Sequence, residues 1–172
     1  MSFKIITDSC CDLTAEMVAQ CELSVAQLSV EMDGRVYSNE EMTPVELYTH
    51  LRNGKLPKTA AVNPDGWAEL IRPALRAGQD VLVLAFSSGL STTYQSAVIA
   101  AGELREEFPD RKLVVIDTLC AAIGQGLLVY TAAKLREQGK TIDEVAAWVE
   151  DHKKNVCHWV TVEDLMHLKR GG

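Results

Sequence analysis

The chain predicts an α/β fold built on a mainly parallel sheet with helices on both faces. Three observations carry that expectation. Short apolar runs, Phe3 to Thr7, Val81 to Phe86 and Leu113 to Ile116, alternate with longer segments of helical period. The run Val81 to Phe86 is apolar without a break, as in a strand covered on both faces. Helix punctuation, with Pro at helix starts and Gly just past helix ends, separates the runs. Strand and helix in alternation lead to parallel strands joined by right-handed crossovers.

Each element has its own local cause. Phe3 to Thr7 ends in Asp8-Ser9, and Asp12 or Thr14 is placed to cap the short helix that follows. Gln27 to Met32 and Arg35 to Ser38 flank Asp33-Gly34, a two-residue hairpin signal. Thr43 opens a helix with Pro44 in its first position and Glu46 completing a capping box; Asn53-Gly54 closes it. Asn63 caps the next helix, which starts with Pro64 and ends before Gly78. From Ser91 to Phe108, residues Tyr94, Ala97, Val98, Ala101 and Leu104 recur at helical spacing until Pro109-Asp110.

After the strand Leu113 to Ile116, Leu119 to Glu137 reads as a mostly apolar helix closed by Gly139. Leu119, Ile123, Leu127, Leu128 and Val129 surround it on nearly every side, which predicts burial, either in a tightly packed core or with one side lining an apolar cavity where Ala121, Ala122, Gly124 and Gly126 leave room for an alkyl chain. Gly124 and Gly126 within it mark close packing. Thr141 and Glu144 form a second capping box, opening a helix to about Lys154. Trp159 to Val162 is expected as a strand and Glu163 to Lys169 as a helical turn, before the final Arg170-Gly171-Gly172.

At 172 residues, 47% of them hydrophobic, the chain can build one full α/β domain with a large core. Its net charge of −7 argues against a nucleic-acid surface. The opening Met1-Ser2-Phe3-Lys4 lacks a secretory pattern, and the longest uncharged run, Thr118 to Ala133, is shorter than the roughly 20 residues of a membrane span. A cytoplasmic location without stable membrane insertion is therefore expected. Five cysteines, Cys10, Cys11, Cys21, Cys120 and Cys157, fit no zinc spacing and are expected as free thiols. Neither a dinucleotide fingerprint nor a phosphate loop is present, so no cofactor and no metal are expected.

The candidate site lies where ligands of open α/β sheets collect, beyond the carboxyl ends of the strands. Loops around Asp8 to Asp12, Thr59 to Asn63, Ser87 to Thr92 and Asp117-Thr118 belong at that edge. Ser87, Ser88, Ser91 and Thr92 can donate hydrogen bonds to a small anion, and the helix starting at Ser91 adds roughly half a positive charge. Thr59 stands in a second hydroxyl-bearing loop ahead of Asn63, and Asp8 and Ser9 stand in a third. Plain helix capping is the simpler reading of Ser91 and Asn63. Capping and loop bonding are likewise preferred over metal binding for Asp12 and Asp8. Ser88 and Ser91 lack the nucleophile elbow, and His50, His152, His158 and His167 supply no obvious base, so no catalytic residue is expected.

Taken together, these motifs resemble the bacterial DegV family. Thr7-Asp8-Ser9-Cys10-Cys11-Asp12-Leu13 is similar to its Asp-Ser-x-x-Asp-Leu opening. Ser87-Ser88-Gly89-Leu90-Ser91-Thr92-Thr93-Tyr94-Gln95 is similar to its Ser-Ser-x-Leu-Ser-Gly-Thr-Tyr-Gln signature, with Thr92 in place of Gly. Lys58 to Pro64, Asp117-Thr118, Gly124-x-Gly126 and Leu165-x-x-Leu168-Lys169-Arg170-Gly171-Gly172 match in order.

The resemblance implies a two-domain protein that binds a long-chain fatty acid without catalysis of its own. Such a protein presents the carboxylate to a separate fatty acid kinase subunit, which makes an acyl phosphate. It implies a carboxylate site at Thr59 and Ser91, with Ser88 and Thr92 beside them and Asp8, Ser9, Asn63 and Ser87 in support. It implies a kinase contact at Arg170. On this basis residues 1–168 are expected to form the N-terminal domain and 169–172 to begin the connection to a C-terminal domain absent from this chain. A small-substrate enzyme related by fold to dihydroxyacetone kinases is the alternative.

Overall fold

The structure, a computed structural model, describes residues 3–38, 41–161 and 165. Four parallel strands form the main sheet: β1 (Lys4–Asp8), β2 (Ser24–Ala26), β6 (Val81–Ala85) and β7 (Leu113–Asp117), in the order β2-β1-β6-β7. All five residues of β6 are fully buried, as its unbroken apolar run requires. Successive side chains point to opposite faces of a strand. Ile6, Val81 and Val83 therefore meet α3 (Pro64–Arg76) and α4 (Thr93–Glu107) through Trp67, Ile71 and Leu104. Ile5, Leu82 and Leu84 meet α5 (Ala122–Glu137) and α6 (Ile142–His152) through Val129, Ala132 and Val145. Each large side chain buried this way contributes about 1.5–3 kcal/mol, so the two covered faces hold the domain together. The expected fold class is the observed one.

A second, antiparallel sheet stands apart from the first. It contains β3 (Ser29–Met32), β4 (Arg35–Ser38) and β5 (Lys58–Ala60), in the order β4-β3-β5. Asp33 and Gly34 take φ values of 53° and 80°, the left-handed pair that a two-residue hairpin needs. Thr59, expected in a loop, sits on β5 opposite Val30. Three residues are too few to show an alternating pattern, and only the free edge of β3 makes them a strand. The same holds for β2, which pairs with the end of β1 from Ile6 to Asp8.

Helix starts follow their caps. Thr14, not Asp12, caps α1 (Ala15–Gln20) by accepting the Met17 N–H at 3.2 Å. Thr43 with Glu46 boxes the start of α2 (Pro44–Arg52), and Thr141 with Glu144 boxes that of α6. Asn63 accepts the Gly66 N–H at 2.7 Å to cap α3.

Three expectations change. α4 begins at Thr93 and α5 at Ala122, two and three residues later than the apolar pattern suggested. α5 is not buried all round: it packs on the turn Ser9–Cys11 and on α6, while Ile123 and Leu127 remain 63% and 56% exposed. Trp159 to Thr161 form no strand, because the sheet ends at β7 and β-propensity without a ladder partner does not make one. Val162, the rest of the expected helical turn apart from Leu165, and the terminal Arg170-Gly171-Gly172 lie outside the described residues. Among the described residues, no helix is long and apolar enough to cross a membrane.

Candidate functional site

At the carboxyl ends of β1 and β6 a cavity of about 680 Å³ opens between the main sheet and the small one. Thr59 on β5 faces it from one side. Ser88, Ser91 and Thr92, in the loop from β6 to α4, face it from the other. Leu28, Ala61, Phe86 and Leu90 supply apolar wall, and Cys10 comes from the turn after β1. Thr59 and Ser88, 29 positions apart in sequence, thus meet at one cavity, with β5 held in place by its pairing to β3.

The hydroxyls are not equivalent. Ser91 Oγ, one residue ahead of the cap position, accepts the N–H of Thr93, the first residue of α4, at 3.2 Å and lies 2.9 Å from Thr93 Oγ1. The side chains of Thr59, Ser88 and Thr92 make no hydrogen bond among the described residues. Thr92 stands at the cap position of α4 without capping it. Beyond it the N–H groups of Tyr94 and Gln95 belong to the first helical turn, where no intrahelical acceptor exists. Free hydroxyls and free N–H groups at a helix start make a neutral, donor-rich surface suited to a small anion.

The supporting residues hold this surface without lining it. Asp8 is fully buried at the end of β1. Its Oδ2 accepts the Phe86 N–H at 2.7 Å, and its Oδ1 accepts the Cys10 N–H at 3.1 Å and Gln125 Nε2 at 3.2 Å. Burial pushes its carboxyl above the ordinary range, against the opposing pull of those N–H donors. Ser9 Oγ accepts the Leu28 N–H at 3.0 Å and anchors the approach to β3. Ser87 Oγ accepts the Gly89 N–H, and its carbonyl accepts from Leu90 and Ser91, closing the serine loop on itself. Asn63 is spent on the cap of α3.

Sequence reasoning undervalued three side chains. Gln125 is buried on α5 and donates to Thr7 Oγ1 at 3.0 Å as well as to Asp8. A single amide between Gly124 and Gly126 in an apolar helix is the sequence signal for it. The close packing expected there is real: a Cβ at Gly126 would stand 2.3 Å from the Cys11 carbonyl oxygen. Asp117 Oδ1 accepts the N–H groups of Ser88 and Leu119, at 3.2 and 3.0 Å, stapling the serine loop to the loop after β7. His158 Nε2 accepts the Ala121 N–H at 3.3 Å and lies against Gly124, at the start of α5.

Nucleophilic chemistry has no support at the cavity. Burial first, then the charges of Asp8, Asp12 and Cys11, push the Cys10 thiol up to about 12, so it stays protonated. All five cysteines are free. His50 sits on α2, His152 stacks on Trp148 at 4.4 Å, and none of the described histidines lines the cavity. Among the described residues there is no cluster of three or more potential metal ligands. Arg170 and His167 lie outside the described residues.

Comparison with known proteins places this architecture. A DegV domain-containing protein of Clostridium perfringens is 43% identical over 173 residues, covering 99% of this chain and 60% of that protein. A solved structure described as fatty acid binding of a DegV family protein from Thermus thermophilus superposes with a TM-score of 0.87 at 36% identity, covering 99% of this chain and 60% of that one. DegV of Bacillus subtilis, described as a fatty acid binding protein, gives a TM-score of 0.86 at 25% identity over 100% of this chain and 61% of its own. The chain therefore spans less than two thirds of the length of these relatives. The family model described as an uncharacterised protein of the DegV family matches residues 2–172, and this chain belongs to the DegV family.

Proposed function

We propose that this chain forms the head-group side of a binding site for a long-chain fatty acid. The observation that carries the reading is the convergence of Thr59, Ser88 and Thr92, three hydroxyls without partners among the described residues, on one cavity with the start of α4. A carboxylate leaving water needs hydrogen bonds to offset its desolvation, and this surface supplies them without a salt bridge. The alkyl tail gains about 0.8 kcal/mol for each methylene it buries. Leu28, Ala61, Phe86 and Leu90 supply apolar wall in the same cavity. Relatives from Thermus thermophilus and Bacillus subtilis are fatty acid binders by description, which supports the same reading.

Neutral donors also leave the carboxylate reactive. The finer reading is that the protein is non-catalytic and offers the bound carboxylate to a separate fatty acid kinase subunit. That subunit would transfer a phosphoryl group from a nucleoside triphosphate onto the carboxylate oxygen to give an acyl phosphate. Arg170 is the residue proposed to meet the kinase.

The test is mass spectrometry of a denaturing organic extract of purified full-length protein. A stoichiometric long-chain fatty acid is expected, and its loss is expected when Thr59→Val and Ser88→Ala are combined. Full-length protein that neither copurifies with nor takes up a fatty acid removes the reading. For the kinase step, trapping of acyl phosphate by hydroxylamine is expected only when protein, kinase and nucleotide are all present.

A further inference from the structure

Behind the wall of the cavity lies a carboxylate that no cation among the described residues balances. Asp8 is fully buried, and every hydrogen bond it receives comes from a neutral donor: the N–H groups of Cys10 and Phe86 and the amide of Gln125. Cys10 and Phe86 themselves line the cavity, so Asp8 stands one residue behind its surface on both sides of the turn. The titratable groups around it are the thiols of Cys10 and Cys11 and the carboxylate of Asp12, all on the turn after β1. Ala26, its partner on β2, and Leu84, which pairs with the neighbouring Thr7 on β6, carry no charge, and α5 presents Gln125. A second carboxylate, Asp117, holds the Ser88 N–H at the rim. The Lys153 ammonium is engaged by the Asp117 carbonyl and by Glu150.

An anion entering this cavity therefore meets uncompensated negative charge. We propose that binding of an anionic head group here is coupled to uptake of one proton from solvent by the Asp8 carboxylate. This rests on the head-group reading above. The step is a simple protonation: carboxylate plus proton gives carboxylic acid, and ligand and protein together gain one positive charge. The Gln125 amide donates to both Asp8 Oδ1 and Thr7 Oγ1, and its Oε1 is buried without a partner among the described residues. Asp8 already lies above the ordinary carboxylate range through burial, so the proton is within reach.

The test uses a long-chain alkyl sulfonate, which keeps its charge at any working pH, beside the matching fatty acid. Full-length protein is titrated calorimetrically in two buffers of different ionisation heat. Proton uptake is expected with both probes, and sulfonate affinity is expected to rise as pH falls, by at most about tenfold per pH unit for one linked proton. In Asp8→Asn both the uptake and the pH slope for the sulfonate are expected to vanish. Sulfonate binding with no proton uptake in the wild-type protein overturns the proposal, whether or not the variant folds. Uptake with the fatty acid alone also overturns it, since the proton then sits on the ligand. Failure of both probes to bind removes the head-group reading itself.

Discussion

Asp8 accepts the Phe86 N–H at 2.7 Å, and that bond joins the end of β1 to the residue that opens the serine loop. With the Cys10 and Gln125 donors it makes Asp8 the brace of the cavity. Replacing Asp8 with Ala strands the buried Gln125 amide and the part-buried N–H groups of Cys10 and Phe86, and a buried donor left unpaired costs about 1–3 kcal/mol. A loss of several kcal/mol is expected in urea melts monitored by tryptophan fluorescence. A loss below about 1 kcal/mol would mean that water or a neighbour takes over those donors.

Asp8 also gives the fold a defined pH dependence. Its carboxyl is raised in the folded state, with burial the main cause. The unfolded chain therefore releases that proton first as pH rises. Any stability contributed by the protonated form is full below the unfolded value and is lost as pH climbs through the folded one. Asp8→Asn has no such term. The stability of wild type minus that of Asp8→Asn is expected to fall between acid and neutral pH, and a difference that rises instead would contradict the burial argument.

Ser91 and Thr59 separate stability from binding. Ser91 Oγ ties the serine loop to the start of α4 through Thr93, so Ser91→Ala is expected to cost about 0.5–1.5 kcal/mol of stability. Thr59 is exposed on an edge strand, with no side-chain bond among the described residues. Thr59→Val preserves shape and β-propensity and removes one donor to a bound carboxylate. Its melting curve is expected to stay put while fatty acid affinity drops by the worth of a charge-assisted hydrogen bond, about 1.5–3 kcal/mol. Equal affinity in a direct titration would take Thr59 out of the site.

Most of the fold was legible because its signals are local. The apolar run of β6, the Asp33-Gly34 turn and the Thr-x-x-Glu boxes act within a few residues of themselves. β2 and β5 were illegible because three residues become a strand only when a distant edge supplies the ladder. The same distinction divides the site. The hydroxyls of the serine loop stand out in sequence, whereas Asp117 bonding Ser88 and Gln125 bonding Asp8 are contacts across 29 and 117 positions. The apolar circumference of α5 misled for a related reason. Sequence reports how greasy a face is, not whether anything covers it, and Ile123 and Leu127 are largely exposed.

The two glycines of α5 make opposite predictions. In a helix interior Ala is favoured over Gly by about 1 kcal/mol. At Gly126 the new Cβ would lie 2.3 Å from a backbone oxygen, that of Cys11, and 3.1 Å from Leu13 Cδ2. Backbone cannot step aside cheaply, so overpacking at about 1–3 kcal/mol is expected to outweigh the propensity gain. Because Cys11 belongs to the turn that carries Cys10 into the cavity wall, ligand affinity is expected to fall with stability. At Gly124 the Cβ would instead meet the His158 ring, 2.1 Å from Nε2. A side chain in an exposed segment can swing away, leaving the propensity gain less one long hydrogen bond to Ala121. Gly124→Ala is therefore expected to melt near the wild-type temperature or slightly above it. Its cost is expected at His158, read as a change in that imidazole's NMR signals. Equal destabilisation by both substitutions would show that His158 is held as firmly as the turn beneath Gly126.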